Sequence, residues 1–288
     1  MRLHKLFPLS FLVFLLSFTV SAQNDRSARP FFFIQITDPQ FGFLDENKSF
    51  EKETVLYQKA VDEVNRLNPD FVVITGDLVN DGTDSLQLAE FIRITANIKP
   101  SIPVYCSPGN HDIGQAPTKQ SISNYIASFG DDKFSFKYKK NWFIGFNSCI
   151  IKAETPEMEE EQFVWLKKEL KTTKKEKHVI LFCHHPLFIK DPDEPETYSN
   201  IGIEKRKKYL ELFTGKNVTA LFAGHYHDNA YGRYKSLSLI TSGAVGKPLG
   251  KAPSGLRIVV VSKSGVASAY YSLDNIPETV DFDIKDHK

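Results

Sequence analysis

The chain has 288 residues, 41% hydrophobic and 25% charged, with 36 Lys and Arg against 35 Asp and Glu. That length buries one large core or two small ones, and the near-neutral balance gives no bulk electrostatic reason to bind nucleic acid or an anionic membrane. The three cysteines, Cys106, Cys149 and Cys183, lie in apolar segments; they exclude a disulfide framework and read as buried thiols.

The first 22 residues read as a secretory signal. Arg2 and Lys5 precede an apolar run over 6–20, and Val20-Ser21-Ala22 offers small residues for cleavage. The run is short for a bilayer span. The expected mature chain begins near Gln23, has no stable membrane span, and belongs in the periplasm or outside the cell. Losing Arg2 and Lys5 turns the formal charge of +1 into −1.

Residues 31–37 form an apolar run suited to a strand buried on both faces. Residues 52–67 read as a helix with Val55, Leu56, Ala60, Val61, Val64 and Leu67 inward, stopped by Pro69. A second strand covers 71–75. A second helix covers 84–98, with Asp84 as N-cap and Gln87 at the capping-box position. A third strand covers 102–106. This alternation predicts parallel pairing with crossover helices, and site loops at the carboxyl ends of the strands.

Further along, 134–138 and 142–147 read as a hairpin around Lys139-Lys140-Asn141. Residues 157–170 read as an amphipathic helix with Phe163, Leu166 and Leu170 inward, followed by a solvated charge run over 171–177. Apolar runs at 179–183 and 218–223 read as two more strands. Residues 191–200, rich in Pro, Asp and Glu, read as an exposed loop placed where it could cover a substrate. The alternating pattern is expected to continue to the end, giving one domain over 23–274 and a loose polar tail over 275–288.

Five strand ends carry side chains with chemistry: Asp38-Pro39-Gln40, Gly76-Asp77, Gly109-Asn110-His111-Asp112, His184-His185-Pro186 and Gly224-His225-Tyr226-His227. Read as edges of one sheet, they deliver carboxylate, amide and imidazole groups to a common region, as a pair of divalent metal ions requires. Each alone has an ordinary explanation, a satisfied polar His or a turn-forming Asp. Five in order leave little room for coincidence. Gly109 and Gly224 suit tight turns where a side chain would obstruct the metals.

This ordered set resembles the calcineurin-like metallophosphoesterase family over residues 31–262. The stretch Ile36-Thr37-Asp38-Pro39-Gln40-Phe41-Gly42, with Thr241-Ser242-Gly243-Ala244-Val245-Gly246, resembles a subgroup in which Gln replaces the usual first-motif His. The resemblance implies an α/β fold, a four-layer αββα sandwich of two mixed sheets. It implies hydrolysis of a phosphate mono- or diester by a metal-bridged hydroxide, without a covalent intermediate. Asp77 would bridge the metals. Asp38, Gln40 and His227 would complete one site, and Asn110, His184 and His225 the other. His111 would protonate the leaving oxygen or stabilise its charge, and Asp112 would orient that imidazole. Asn110 and His111, with Tyr226 and His185 beside the ligands, are the candidate substrate contacts.

A Gln oxygen is a harder, weaker donor than imidazole, which favours Mn²⁺ or Mg²⁺ among Mn²⁺, Mg²⁺, Fe²⁺ and Zn²⁺. The expected partner is a small or exported phosphate ester. The competing reading is a degenerate relative that binds metal or phosphate without turnover; Gln40 is its only support. Loops over 41–50, 114–119, 191–200 and 248–254 would set specificity, and their sequences spell no substrate.

Overall fold

The structure, a computed structural model, describes residues 29–173, 176–216 and 218–283. Residues 1–28, which include the expected signal over 1–22, part of the 171–177 charge run and the last five residues lie outside that set. In chain order the elements are β1 (Phe31–Ile36), α1 (Glu51–Leu67), β2 (Val72–Thr75), α2 (Ser85–Thr95), β3 (Val104–Ser107), α3 (Asn110–Ile113) and α4 (Lys119–Phe129). Then come β4 (Phe134–Tyr138), β5 (Asn141–Gly145), α5 (Cys149–Lys152), α6 (Pro156–Thr172), β6 (Val179–Phe182), α7 (Ile203–Thr214) and β7 (Val218–Ala223). The chain ends in four strands: β8 (Ala230–Tyr234), β9 (Leu237–Thr241), β10 (Gly255–Val261) and β11 (Val266–Ser272). Strand and helix therefore do not alternate to the end; among the described residues every element after α7 is a strand.

Two mixed sheets result, with orders β11-β10-β1-β2-β3 and β4-β5-β6-β7-β9-β8. The first three strands pair in parallel, Ile34 opposite Val72 and Val72 opposite Val104, as the crossover pattern predicts. The five site-bearing strands are split between the sheets: β1, β2 and β3 in one, β6 and β7 in the other. The single-sheet expectation is thus corrected. The site is built where two sheets meet.

The period of two along β1 explains the layering. Phe32, Ile34 and Ile36 face α1 and α2, while Phe31 and Phe33 enter the space between the sheets. That middle layer is largely aromatic. Phe33 stacks on Phe71 at 4.8 Å and meets Phe143, Phe182 and Phe222 edge-on at 5.6–5.9 Å. A third apolar layer places α6 and α7 on the second sheet. The four layers match the sandwich that the resemblance implies.

Toward the site the middle layer turns polar. Gln35 donates to Thr75 Oγ1 and to the Ala223 carbonyl, and accepts from Ser242. One buried amide thereby ties β1, β2 and β7 together beneath the loops that carry the ligands.

Several local expectations change. Val55 is 67% exposed; the inward stripe of α1 is Glu53, Tyr57, Ala60, Val61 and Val64. Asp84 caps α2 through the Leu86 and Gln87 amides, but Gln87 closes no capping box. Its oxygen accepts from Asn80 N and Asp81 N instead. The hairpin turns on Lys139 and Lys140, both at positive φ, with Tyr138 opposite Asn141. Residues 275–283 are not loose: Arg66 donates to the Pro277 and Glu278 carbonyls, and Ile276 and Val280 pack on the core. All three cysteines are free, Cys106 only partly buried. Among the described residues no helix is long and apolar enough to cross a membrane.

Candidate metal centre

Each ligand candidate sits just past a strand end, on backbone bent sharply out of the sheet. Asp38, Gln40, Asp77, His225 and His227 have φ between 44 and 67°. Left-handed backbone at non-glycine residues costs energy and gathers where a site requires it. The bends are held by hydrogen bonds between loops: Asp38 N to Gly76 O, Gln40 N to Asp77 O, and Gly246 N to Asp38 O. Two glycines admit them. A Cβ on Gly109 would lie 2.1 Å from Asp77 Oδ1, and one on Gly224 would lie 1.9 Å from Thr37 Oγ1. What a side chain at either position would strike is the candidate ligands Asp77 and Asp38 or Thr37 beside them.

Proton bookkeeping shows what the cluster is built to hold. His184 Nδ1 lies 2.9 Å from the Thr75 carbonyl, and His225 Nε2 lies 3.1 Å from the Tyr198 carbonyl. Carbonyls only accept, so those nitrogens carry the ring protons. The other nitrogens, His184 Nε2 and His225 Nδ1, then point lone pairs at each other across 3.2 Å. Asn110 Oδ1 stands 3.1 Å and Asp77 Oδ2 3.2 Å from the same His184 Nε2. Four electron-pair donors thus converge with no proton assigned between them. A cation resolves that arrangement.

A second group lies on the other side of Asp77. His227 Nδ1 donates to the Lys247 carbonyl, leaving Nε2 to face Asp38 Oδ1 at 3.3 Å. Asp38 Oδ2 is taken by Thr37 Oγ1 and the His225 amide. Gln40 Nε2 donates to Asn80 Oδ1, which fixes the amide and leaves the buried Oε1 with no partner. An orphaned buried acceptor is costly unless something positive meets it. Asp38, Asp77 and His184 bring ligand atoms within 4.8 Å of one another. The residues present therefore fit two closely spaced metal ions.

With no cation present, the positive charge falls on His184 itself. Burial works against a charged His184, yet Asp77 and Asp38 outweigh it and raise the ring to about 9. Burial and the His184 charge push His225 down to about 4. Burial alone would raise Asp77, but His184, His111 and His225 hold it below the usual carboxylate range. The pocket is anionic enough to demand positive charge.

Asp112 corrects the sequence reading. Its carboxylate accepts from Leu78 N, Val79 N and Gly109 N, tying the loops after β2 and β3 together. The His111 ring instead donates through Nδ1 to the Asn80 carbonyl. Burial and Asp77 push Asp112 up to about 8, against three N–H donors that favour the anion. Asp112 is thus a brace, and the residue orienting His111 is Asn80.

His111 is partly buried, and its N–H donates to Asp77 Oδ1. Phe43 lies against both His111 and His227, with Lys247 Nζ 4.7 Å above its ring. His185 is 1% exposed, its ring centroid 4.1 Å from that of His225. Its buried Nε2 has no hydrogen-bond partner, and with His184 and His225 it forms a second set whose ligand atoms lie within 4.8 Å of one another. Tyr226 is partly buried between His225 and His227, and its phenol hydrogen-bonds no candidate ligand among the described residues.

Sequence reasoning missed Asn80, Ser148 and Tyr198. Ser148 Oγ accepts from His184 N and His185 N. Tyr198 carried one signal, an aromatic ring in the acidic loop suspected of covering the site.

Residues 33–229 match the family model described as Calcineurin-like phosphoesterase. The chain is 35% identical over 276 residues to the serine/threonine-protein phosphatase CPPED1 of Rattus norvegicus, spanning 89% of this chain and 88% of that protein. It is 34% identical over 281 residues to the protein of the same name from Danio rerio, with 89% of each covered. A solved dimetal phosphatase from Danio rerio shares the fold, with TM-score 0.61 at 15% identity over 84% of this chain and 99% of that one. The clustered ligands and these relatives together make this a catalytic, metal-dependent phosphoesterase rather than a decayed binder. The chain belongs to the calcineurin-like phosphoesterase family.

Proposed function

We propose that this chain is an exported two-metal hydrolase of phosphate esters, of the subgroup with Gln in place of the first-motif His, using Mn²⁺ or Mg²⁺. The observation that carries the metal assignment is Gln40 Oε1, buried without a partner and held in place by Asn80. A hard amide oxygen at that position favours hard cations. Two bound divalent ions supply charge to the phosphoryl oxygens and acidify a water for in-line attack.

The chain's own groups do the rest. Asp77 would be shared by the two ions. Asp38, Gln40 and His227 would hold one of them, and Asn110, His184 and His225 the other. His111, its Nδ1 proton committed to the Asn80 carbonyl, leaves Nε2 for the leaving oxygen, to which it gives a proton only in the doubly protonated imidazolium form. The rat and zebrafish relatives are named serine/threonine-protein phosphatases. On an exported chain we favour phosphate esters of small molecules or exported proteins. Residues 23–274 form the catalytic domain on this reading, after removal of the 1–22 signal.

The test is turnover of p-nitrophenyl phosphate and bis-p-nitrophenyl phosphate by metal-stripped protein, with Mn²⁺, Mg²⁺, Zn²⁺ and Fe²⁺ added back singly. Turnover highest with Mn²⁺ or Mg²⁺ and abolished in Asp77→Asn is expected, and the ester ratio selects the substrate class. Absence of turnover with every metal and both esters sinks the hydrolase reading. Amino-terminal sequencing of the protein recovered outside the cytoplasm, expected to start near Gln23, tests export.

A further inference from the structure

We propose that Tyr198 is a substrate-binding residue, whose hydroxyl donates its proton to a non-bridging oxygen of the phosphate ester. The inference rests on the phosphoesterase reading of the site. A phenol hydroxyl has one proton to give and two lone pairs to fill. Here both lone pairs are filled by donors that cannot accept: Asn110 Nδ2 at 3.3 Å and Gln115 Nε2 at 3.0 Å. The proton must therefore go elsewhere, and no acceptor among the described residues receives it. Tyr198 is 59% exposed, so that proton is free to go to solvent or to a ligand that displaces it.

The hydroxyl lies beside the metal centre. Asn110 turns its oxygen to His184 Nε2 and its amide nitrogen to Tyr198. The Tyr198 ring packs on His225 with centroids 4.8 Å apart, and its carbonyl takes the His225 Nε2 proton. A phosphoryl group seated against Asn110 and His225 therefore meets the hydroxyl.

The loop that carries Tyr198 is anchored on both sides of the tyrosine. Glu194 accepts from the amides of Ile189, Lys190 and Asp191 and from Asn200 Nδ2. The fully buried Arg206 donates to the carbonyls of Pro192, Glu194 and Ile201. Lys152 reaches the Thr197 and Asn200 carbonyls on either side of the tyrosine. Such anchoring places the hydroxyl before substrate arrives, and a preplaced donor loses less entropy on binding.

The experiment compares Tyr198→Phe with the unaltered protein by calorimetric titration of inorganic phosphate into the Mn²⁺-loaded forms. Metal stoichiometry by mass spectrometry and the KM and kcat for p-nitrophenyl phosphate accompany it. Loss of one hydrogen bond to a charged oxygen should weaken phosphate binding and raise KM roughly 10-fold or more, with two metals retained. Phosphate affinity and KM unchanged within about twofold would overturn the proposal. Loss of one metal from Tyr198→Phe would also overturn it, since the hydroxyl would then act through Asn110. If the unaltered protein binds phosphate but hydrolyses neither aryl ester, the proposed function fails while the phosphate titration still decides the role of Tyr198. If it neither binds phosphate nor hydrolyses either aryl ester, both fail; if it hydrolyses an ester without measurable phosphate binding, the KM comparison decides the role of Tyr198.

Discussion

Asp112→Ala separates a structural carboxylate from a catalytic one. The side chain accepts from Leu78 N at 2.8 Å, Val79 N at 3.1 Å and Gly109 N at 2.7 Å, and all three donors belong to buried residues. Truncation strands three N–H groups, each at a cost of about 1–3 kcal/mol. Water entering the vacated space offsets part of this, leaving roughly 3–4 kcal/mol. In a chain of this size each kcal/mol moves Tm by about 2–4 °C. The metal-free Tm should therefore fall by roughly 10 °C. His111→Ala removes a partly exposed ring bonded to one carbonyl. It should cost under about 1 kcal/mol of stability while removing most turnover. Calorimetric melting in EDTA keeps metal binding out of the comparison, and aryl phosphate turnover is measured in parallel. If Asp112→Ala melts with the unaltered protein yet loses as much turnover as His111→Ala, the bracing argument is wrong and the carboxylate acts on the imidazole.

Three further outcomes are expected. In Gly224→Ala the new Cβ would lie 1.9 Å from Thr37 Oγ1 and 2.7 Å from Asp38 Oδ2, so metal titration should show at least one site lost. Gln40→Ala should retain the fold but bind its second Mn²⁺ roughly 10-fold or more weakly, seen as a drop from two metals toward one after desalting. Burial holds His178 below the ordinary 6.5 despite the Ser262 carbonyl facing its Nε2. The unfolded chain then takes up this proton first as pH falls, so stability present above 6.5 is lost as pH drops through the lowered folded value. His178→Gln should flatten that limb of Tm against pH, and an unchanged slope would count against it.

The architecture was legible wherever a strand is apolar on both faces and ends in a polar turn. Residues 31–37, 71–75, 179–183 and 218–223 each meet that condition, and all four are strands within a residue or two. The division of site strands between two sheets was not legible from periodicity, because partner choice is decided by packing. Phe33 cannot signal in one dimension that it will stack on Phe71 and face Phe182. Helix faces failed for a related reason. Val55 looks inward on a hydrophobicity count, but buried Glu53 takes the inward position because its carboxylate accepts from Leu44 N.

The site divides along a chemical line. The candidate metal-binding groups, Asp38, Gln40, Asp77, Asn110, His184, His225 and His227, are side chains of distinctive type, so a sequence can nominate them. The groups that decide where their protons sit are main-chain carbonyls. Thr75 O faces His184, Asn80 O faces His111, Tyr198 O faces His225, and Lys247 O faces His227. Each fixes one tautomer and leaves the opposite nitrogen for metal or substrate. A carbonyl is common to every residue, so no residue identity advertises this role, and alanine substitution at Thr75, Asn80 or Lys247 would not remove it. The misassignment of Asp112 follows from the same fact. A neighbouring carboxylate was the visible orienting group for His111 in the sequence, whereas the fold uses the Asn80 carbonyl and spends the carboxylate on three backbone amides. The site is consequently tuned by loop backbone geometry, which is why five of its ligands are held at positive φ.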